Sequence, residues 1–209
     1  MNHLMLKLIT IFSLLIPFSA CLTQQYVPED NFYRLSSVEP FVSPEGSPLD
    51  RDTVIVVKRF RSDLLYSERP LVYVKSDTPL HMRQYHYHKW SDPPPVMLQN
   101  YLIDFLRKTH LARTTISEGA RIQPDYIISG SVKRFDHVLG QSHDKVVVTL
   151  EMEVHDVKQF ERLAFTQQYT KEVKISGKDF HSTIDSFRTA VEEIYNNFFK
   201  DLVDVVERQ

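Results

Sequence analysis

Cysteine is nearly missing from this chain. Its 209 residues include one, Cys21, which excludes an intrachain disulfide and any cysteine-clustered zinc site. Glycine is scarce, five in all. Neither G-x-x-x-x-G-K-[ST] nor G-x-G-x-x-G occurs, so no nucleotide-binding loop of those types is expected. An excess of one charge is also missing: 25 Lys and Arg face 27 Asp and Glu, a formal net charge of −2. No global field therefore draws the chain onto nucleic acid. What remains is a globular balance, 42% hydrophobic and 25% charged, which argues against wholesale disorder. At roughly 100–200 residues per domain, one domain or two small ones are expected.

The one sustained apolar run lies at the start, MNHLMLKLITIFSLLIPFSAC. Lys7 is the only formal side-chain charge in its first 20 residues, and the core from Leu8 to Ile16 is interrupted only by Thr10 and Ser13. A membrane span needs ~20 apolar residues, so this layout reads as a secretory signal rather than an anchor helix. Ordinary cleavage after Ala20 would put bulky Phe18 at the −3 position, against the small-residue pattern. Phe18-Ser19-Ala20-Cys21 instead resembles a bacterial lipoprotein box, with Phe18 where Leu is usual. The resemblance implies that Cys21 carries a thioether-linked diacylglycerol and an acylated amino group, so that the chain binds membrane lipid. Each buried CH₂ contributes about 0.8 kcal/mol, so several acyl chains anchor stably where one does not. Loss of residues 1–20 removes Lys7 and leaves 24 basic against 27 acidic side chains. Leu22, rather than an acid, follows the cysteine, which in enterobacterial lipoproteins implies passage to the outer membrane. Residues 21–31 form the expected tether, and Thr23 to Asn31 (TQQYVPEDN) would reach some 30 Å when extended at ~3.3–3.6 Å per residue.

The body follows from residue 32 to 209. Residues 38–52 (VEPFVSPEGSPLDRD) hold three prolines, one glycine and four acids and read as an irregular connection. Thr53 to Phe60 is a β-branched run expected as a buried strand, and Ser62 to Arg69 as a loop. Leu71 to Lys75 and Leu80 to His88, divided by Ser76-Asp77-Thr78-Pro79, predict a hairpin. After Pro93, Pro94 and Pro95, the apolar stripe Met97, Leu98, Tyr101, Leu102, Phe105 and Leu106 predicts a helix. Tyr126 to Val138 is strand-like, with Gly130 marking a bulge or a close backbone contact. Val146, Val148, Leu150, Met152 and Val154 alternate with polar residues and predict a strand with one buried face; Leu163 to Ile175 would return as a third. Phe180, Ile184, Phe187, Val191, Ile194, Phe198 and Leu202 trace a long helix lying on the sheet. The fold class expected is α/β: a single domain with a mixed, largely antiparallel sheet and two main helices packed on it.

Few residues bid for chemistry. His86 and His88 would share one face of a strand, but a metal site needs further ligands that the spacing does not provide, so no metal or cofactor is expected. There is no G-x-S-x-G elbow, and a lipidated Cys21 leaves no free thiol. Glu151 and Glu153 fall on the wet face of a strand, and Lys58-Arg59 with Arg61 reads as a solvated strand end. No enzyme emerges. Trp90, the only tryptophan, stands at a strand-to-helix junction, either as a corner-filling ring or as a contact for a partner.

Several segments together resemble the bacterial ABC-type transport auxiliary lipoprotein component family. They are Phe32-Tyr33-Arg34-Leu35, Leu71-Val72-Tyr73-Val74, and Tyr85 followed by Lys89-Trp90-Ser91-Asp92-Pro93-Pro94. The helix Met97 to Leu106, Pro124 to Gly130 and the Val146–Asp156 strand extend the likeness over the mature chain. The resemblance implies an outer-membrane-anchored, periplasmic accessory of an ABC-type or MCE-type system that moves lipids or other hydrophobic molecules across the envelope. It implies an inner-membrane ABC permease or ATPase, or an MCE-domain protein, as partner, with a homo-oligomer left open. A carrier binding lipid in its own apolar cavity is the alternative. Tyr85, Trp90, Pro93 and Pro94 are the candidate contact or corner residues, and the resemblance supplies no catalytic ones.

Overall fold

A computed structural model of the chain describes residues 27–35, 40, 52–159 and 162–207. The expected signal segment 1–20, Cys21, Leu22, the start of the tether and nearly all of the 38–52 connection lie outside the described residues. The strands are β1 (Asn31–Tyr33), β2 (Val54–Val57), β3 (Arg61–Ser62), β4 (Pro70–Lys75), β5 (Thr78–Trp90), β6 (Thr114–Ser117), β7 (Tyr126–Leu139), β8 (Lys145–Asp156) and β9 (Arg162–Lys174). Among the described residues, two helices, α1 (Pro94–Lys108) and α2 (Phe180–Glu207), and a 3-10 turn at Leu64–Ser67 complete them.

The long strand β7 organises one mixed sheet. Along one edge it pairs antiparallel with β8, which pairs antiparallel with β9. Along the other it takes three short parallel partners in succession, β2, β3 and β4. β2 continues to β6; β4 makes the expected hairpin with β5, and β5 takes β1 in parallel. The long ladders are thus the antiparallel ones, and the parallel ones are brief. Gly130 is the close-contact glycine: a Cβ there would sit 2.7 Å from the Phe60 ring. The bulge of β7 falls instead between Val132 and Arg134. The 53–60 strand ends at Val57, and the 62–69 segment contains the end of β3 and the 3-10 turn rather than plain loop.

The helices begin where their sequences dictate. Pro93 is the N-cap of α1, with prolines at the first two helical positions. Three residues that lack an N–H reduce the donors left unpaired at a helix start. No side chain of Ser91 or Asp92 caps it. At the start of α2 the Ser182 N–H donates to Asp179 Oδ1 at 2.7 Å, an ordinary acidic cap. The core lies between the sheet and these helices. Its largest fully buried rings are Trp90, Tyr195, Phe105, Phe135, Phe187 and Phe198, and full burial of one such side chain contributes roughly 1.5–3 kcal/mol. The two helices meet through Phe105 against Tyr195 and Phe199, and the Tyr195 hydroxyl donates to Leu98 O at 2.8 Å.

Candidate functional site

The sequence candidates Tyr85, His88 and Trp90 all lie on β5, and the structure gathers two of them into a corner with residues from four other elements. β5 does not run regularly there: the stretch Gln84 to Lys89 lies opposite only Val72 to Pro70 of β4. Such a bulge breaks the period-2 alternation of side chains. His86 and His88 therefore do not act as the same-face pair that strict alternation predicts. His86 is exposed, with its ring edge against Tyr87, while His88 stacks on Phe180 at 3.8 Å and 6°.

Phe180, the first residue of α2, is the hub. Tyr33 of β1 lies 5.2 Å from it, Tyr85 meets it edge-on at 5.2 Å, and His137 of β7 approaches at 6.2 Å. Tyrosines pair with the imidazoles: Tyr33 OH lies 2.8 Å from His88 Nδ1, and Tyr85 OH 2.9 Å from His137 Nδ1. Tyr73 closes the group at 4.5 Å from Tyr85. His137 is 5% exposed. Its Nε2 has no hydrogen-bond partner among the described residues and lies 3.6 Å from Asp144 Oδ2, within ion-pair range but beyond a hydrogen bond. Burial holds both imidazoles below their ordinary range, and at His137 the Asp144 carboxylate pulls the other way. Burial likewise pushes the Tyr85 hydroxyl well above the usual phenol range. The corner opens onto a cavity of about 600 Å³, walled by the Gly140–Asp144 turn and by Gly177 to Phe180.

Trp90 sits just behind this corner, 1% exposed, with its ring 5.2 Å from Phe135 and 5.3 Å from Phe187. Its backbone is fixed on both sides: Trp90 N donates to Arg69 O at 2.7 Å, and Arg69 Nε donates to Trp90 O at 3.1 Å. Pro93 and Pro94 start α1, with Pro94 buried. The same corner fixes β1. Besides the Tyr33 contacts, Lys89 Nζ binds Asp30 at 2.6 Å, Arg69 lies 4.8 Å over the Phe32 ring, and Ser91 N donates to Tyr33 O at 2.6 Å.

The arrangement joins β1, β4, β5, β7 and α2 through two tyrosine–imidazole hydrogen bonds and stacked or edge-on rings. Among the described residues no group of three or more His, Cys, Asp or Glu is placed to hold a metal ion. No described helix is long and apolar enough to cross a membrane. The sequence reading missed His137, Asp144 and the role of Phe180. Phe180 was visible only as the first member of a core stripe, and His137 carried no local signal because its partner comes from β5.

A family model described as ABC-type transport auxiliary lipoprotein component matches residues 33–197, from the Tyr33 of this corner into α2. No curated protein matches the chain significantly. Among solved structures, protein XCC0632 from Xanthomonas campestris superposes with a TM-score of 0.71 at 16% identity, covering 85% of this chain and 98% of that one. The hypothetical protein CT253 from Chlamydia trachomatis gives a TM-score of 0.54 at 6% identity, over 76% of this chain and 99% of its own. At these identities the likeness concerns the fold alone.

Proposed function

The chain belongs to the ABC-type transport auxiliary lipoprotein component family, and on that premise we propose that it is a non-catalytic accessory of an envelope transport system, held to the membrane by lipid on Cys21. Its cargo class is lipids or other hydrophobic molecules, its membrane is the outer one, and its partner is an inner-membrane ABC permease or ATPase or an MCE-domain protein. The observation that carries this reading is the extent of the family match, which runs through the sheet and both helices. The box at Phe18 to Cys21, with Leu22 after it, supports the anchor and its destination.

On this reading the corner joins the tether to the body: β1, the first strand among the described residues, is held there through Tyr33, Phe32 and Asp30. Crosslinking in intact cells tests the function: a short amine-reactive crosslinker should join this chain to a transport protein of one of the named kinds. Recovery of the chain free of all of them, while a known envelope complex is captured in the same cells, overturns it.

A further inference from the structure

One end of the sheet differs from the rest of the surface, and its parts can be placed by register. Thr78 pairs with Lys75, Lys75 with Leu139, Val138 with Lys145, and Lys145 with Lys174. The β4–β5 hairpin tip, the β7–β8 turn and the end of β9 thus form a single row. Lysines stand along it at 75, 145 and 174, with Lys178 just beyond. Lys145 is paired with Glu172; Lys75, Arg83, Lys174 and Lys178 have no carboxylate within salt-bridge range among the described residues. The acids of this end are Asp77, which accepts from Thr78, Asp144 beside His137, Glu172, and Asp179, which caps α2; Asp63 and the Arg134-paired Asp136 line the groove described next. The two most exposed large hydrophobic residues of the described chain are also here. Leu80 is 97% exposed and Leu64 78%, and with Pro79, Leu65, Val74 and Met82 they line a groove of about 700 Å³.

The tether points the same way. β1 is parallel to β5, with Asn31 opposite His88, so the chain leading into β1 comes from the Thr78 end of β5. From His88 back to Leu80 is eight residues, about 26 Å at ~3.3 Å per residue. Cys21 lies ten residues before Asn31, a reach of up to about 33–36 Å. A lipid-fixed Cys21 leaves enough chain for the hairpin tip to touch the bilayer.

We propose that this end of the sheet, the β4–β5 hairpin tip with Leu80 and Leu64 together with Lys75 and Lys174 of the same row, rests on an anionic lipid surface. This rests on the anchored reading above for the position of the membrane. Exposed leucines enter the interfacial layer while the cations meet anionic headgroups, the combination by which peripheral surfaces bind membranes. Folding does not require the leucines to be apolar, because they bury almost nothing within the chain.

The test uses the full chain, isolated from its membrane and reconstituted into phosphatidylethanolamine vesicles containing phosphatidylglycerol and a phospholipid with a photoactivatable diazirine in its acyl chain. Peptide mapping should find label on the peptides bearing Leu64 and Pro79-Leu80. Leu80→Asp should lower hairpin labelling at least about fivefold, since an acid is strongly disfavoured in an apolar layer. Leu163→Asp, at the start of β9, should leave it unchanged. Replacing phosphatidylglycerol by phosphatidylcholine, or raising the salt, should lower it about threefold, as screened attraction requires. Equal labelling in Leu80→Asp overturns the proposal. The mass of the Cys21 peptide separates the two readings. Acylated Cys21 with no label at the hairpin overturns the lipid-contacting surface and leaves the anchor standing; a bare Cys21 with a labelled hairpin does the reverse.

Discussion

The aromatic corner and the hairpin end of the sheet share strand β5 and handle their side chains in opposite ways. At the corner, the rings and hydroxyls are answered from other elements, His137 Nε2 excepted: Tyr33 by His88, Tyr85 by His137, and both imidazoles by the face or edge of Phe180. At the hairpin end, Leu80 and Leu64 stand in solvent, and the row lysines Lys75 and Lys174 lack a carboxylate partner among the described residues. A paired cluster contributes to the chain's own stability, whereas an unpaired one is available to something outside it. The difference lies in position along the strand rather than in composition.

Substitutions sharpen that contrast, and the largest effect belongs behind the corner. Trp90→Ala should cost about 3–5 kcal/mol of unfolding free energy, since it opens a cavity against Phe135 and Phe187; urea unfolding measures this. A loss below 1 kcal/mol would mean that the ring is not the packing centre of its corner. Tyr85→Phe comes next. Without the hydroxyl, the buried His137 Nδ1 loses its partner, at a cost of about 1–3 kcal/mol.

The pH dependence is a smaller effect, and its sign follows from burial. His88 and His137 have folded-state pKa values below the ordinary 6.5. Between the depressed value and 6.5 the unfolded chain binds more protons, so stability rises with pH there. The contribution is complete above 6.5 and is lost as pH falls through the folded-state values. Protonation acts on contacts with Tyr33, Tyr85 and Phe180 around His88, and with Tyr85, Phe180, Tyr73 and Asp144 around His137. Urea midpoints measured from neutral to mildly acidic pH should fall, and the slope should flatten in His137→Gln. An unchanged slope in that variant would place the titrating group elsewhere. The smallest effect is expected at the other end: Leu80→Asp and Leu64→Ser should alter unfolding free energy by no more than about 0.5 kcal/mol, while lipid labelling at the hairpin falls.

How much of this could be read beforehand depended on the range of the interaction. The β4–β5 hairpin, α1, α2 and the β7–β8–β9 meander follow from local periodicity, because each repeats a pattern over ten or more residues or closes through a short turn. β1 and β6, with three and four residues, repeat nothing, and their parallel pairing depends on strands far away in the chain. The corner failed for a related reason. Alternation placed His86 with His88, and the β5 bulge separated them. Tyr85 was found as part of a motif, while its partner His137 lies 52 residues further on. The hairpin's exposed Leu80 was assigned to a strand, but periodicity could not show that nothing within the chain would cover it.

The anchored reading is tested most directly by the mass of the N-terminal peptide of the chain isolated from its own membrane. The account predicts a peptide beginning at Cys21 and carrying the mass of several acyl chains. A chain beginning at another residue, or at an unmodified Cys21 and recovered with soluble contents, would contradict it.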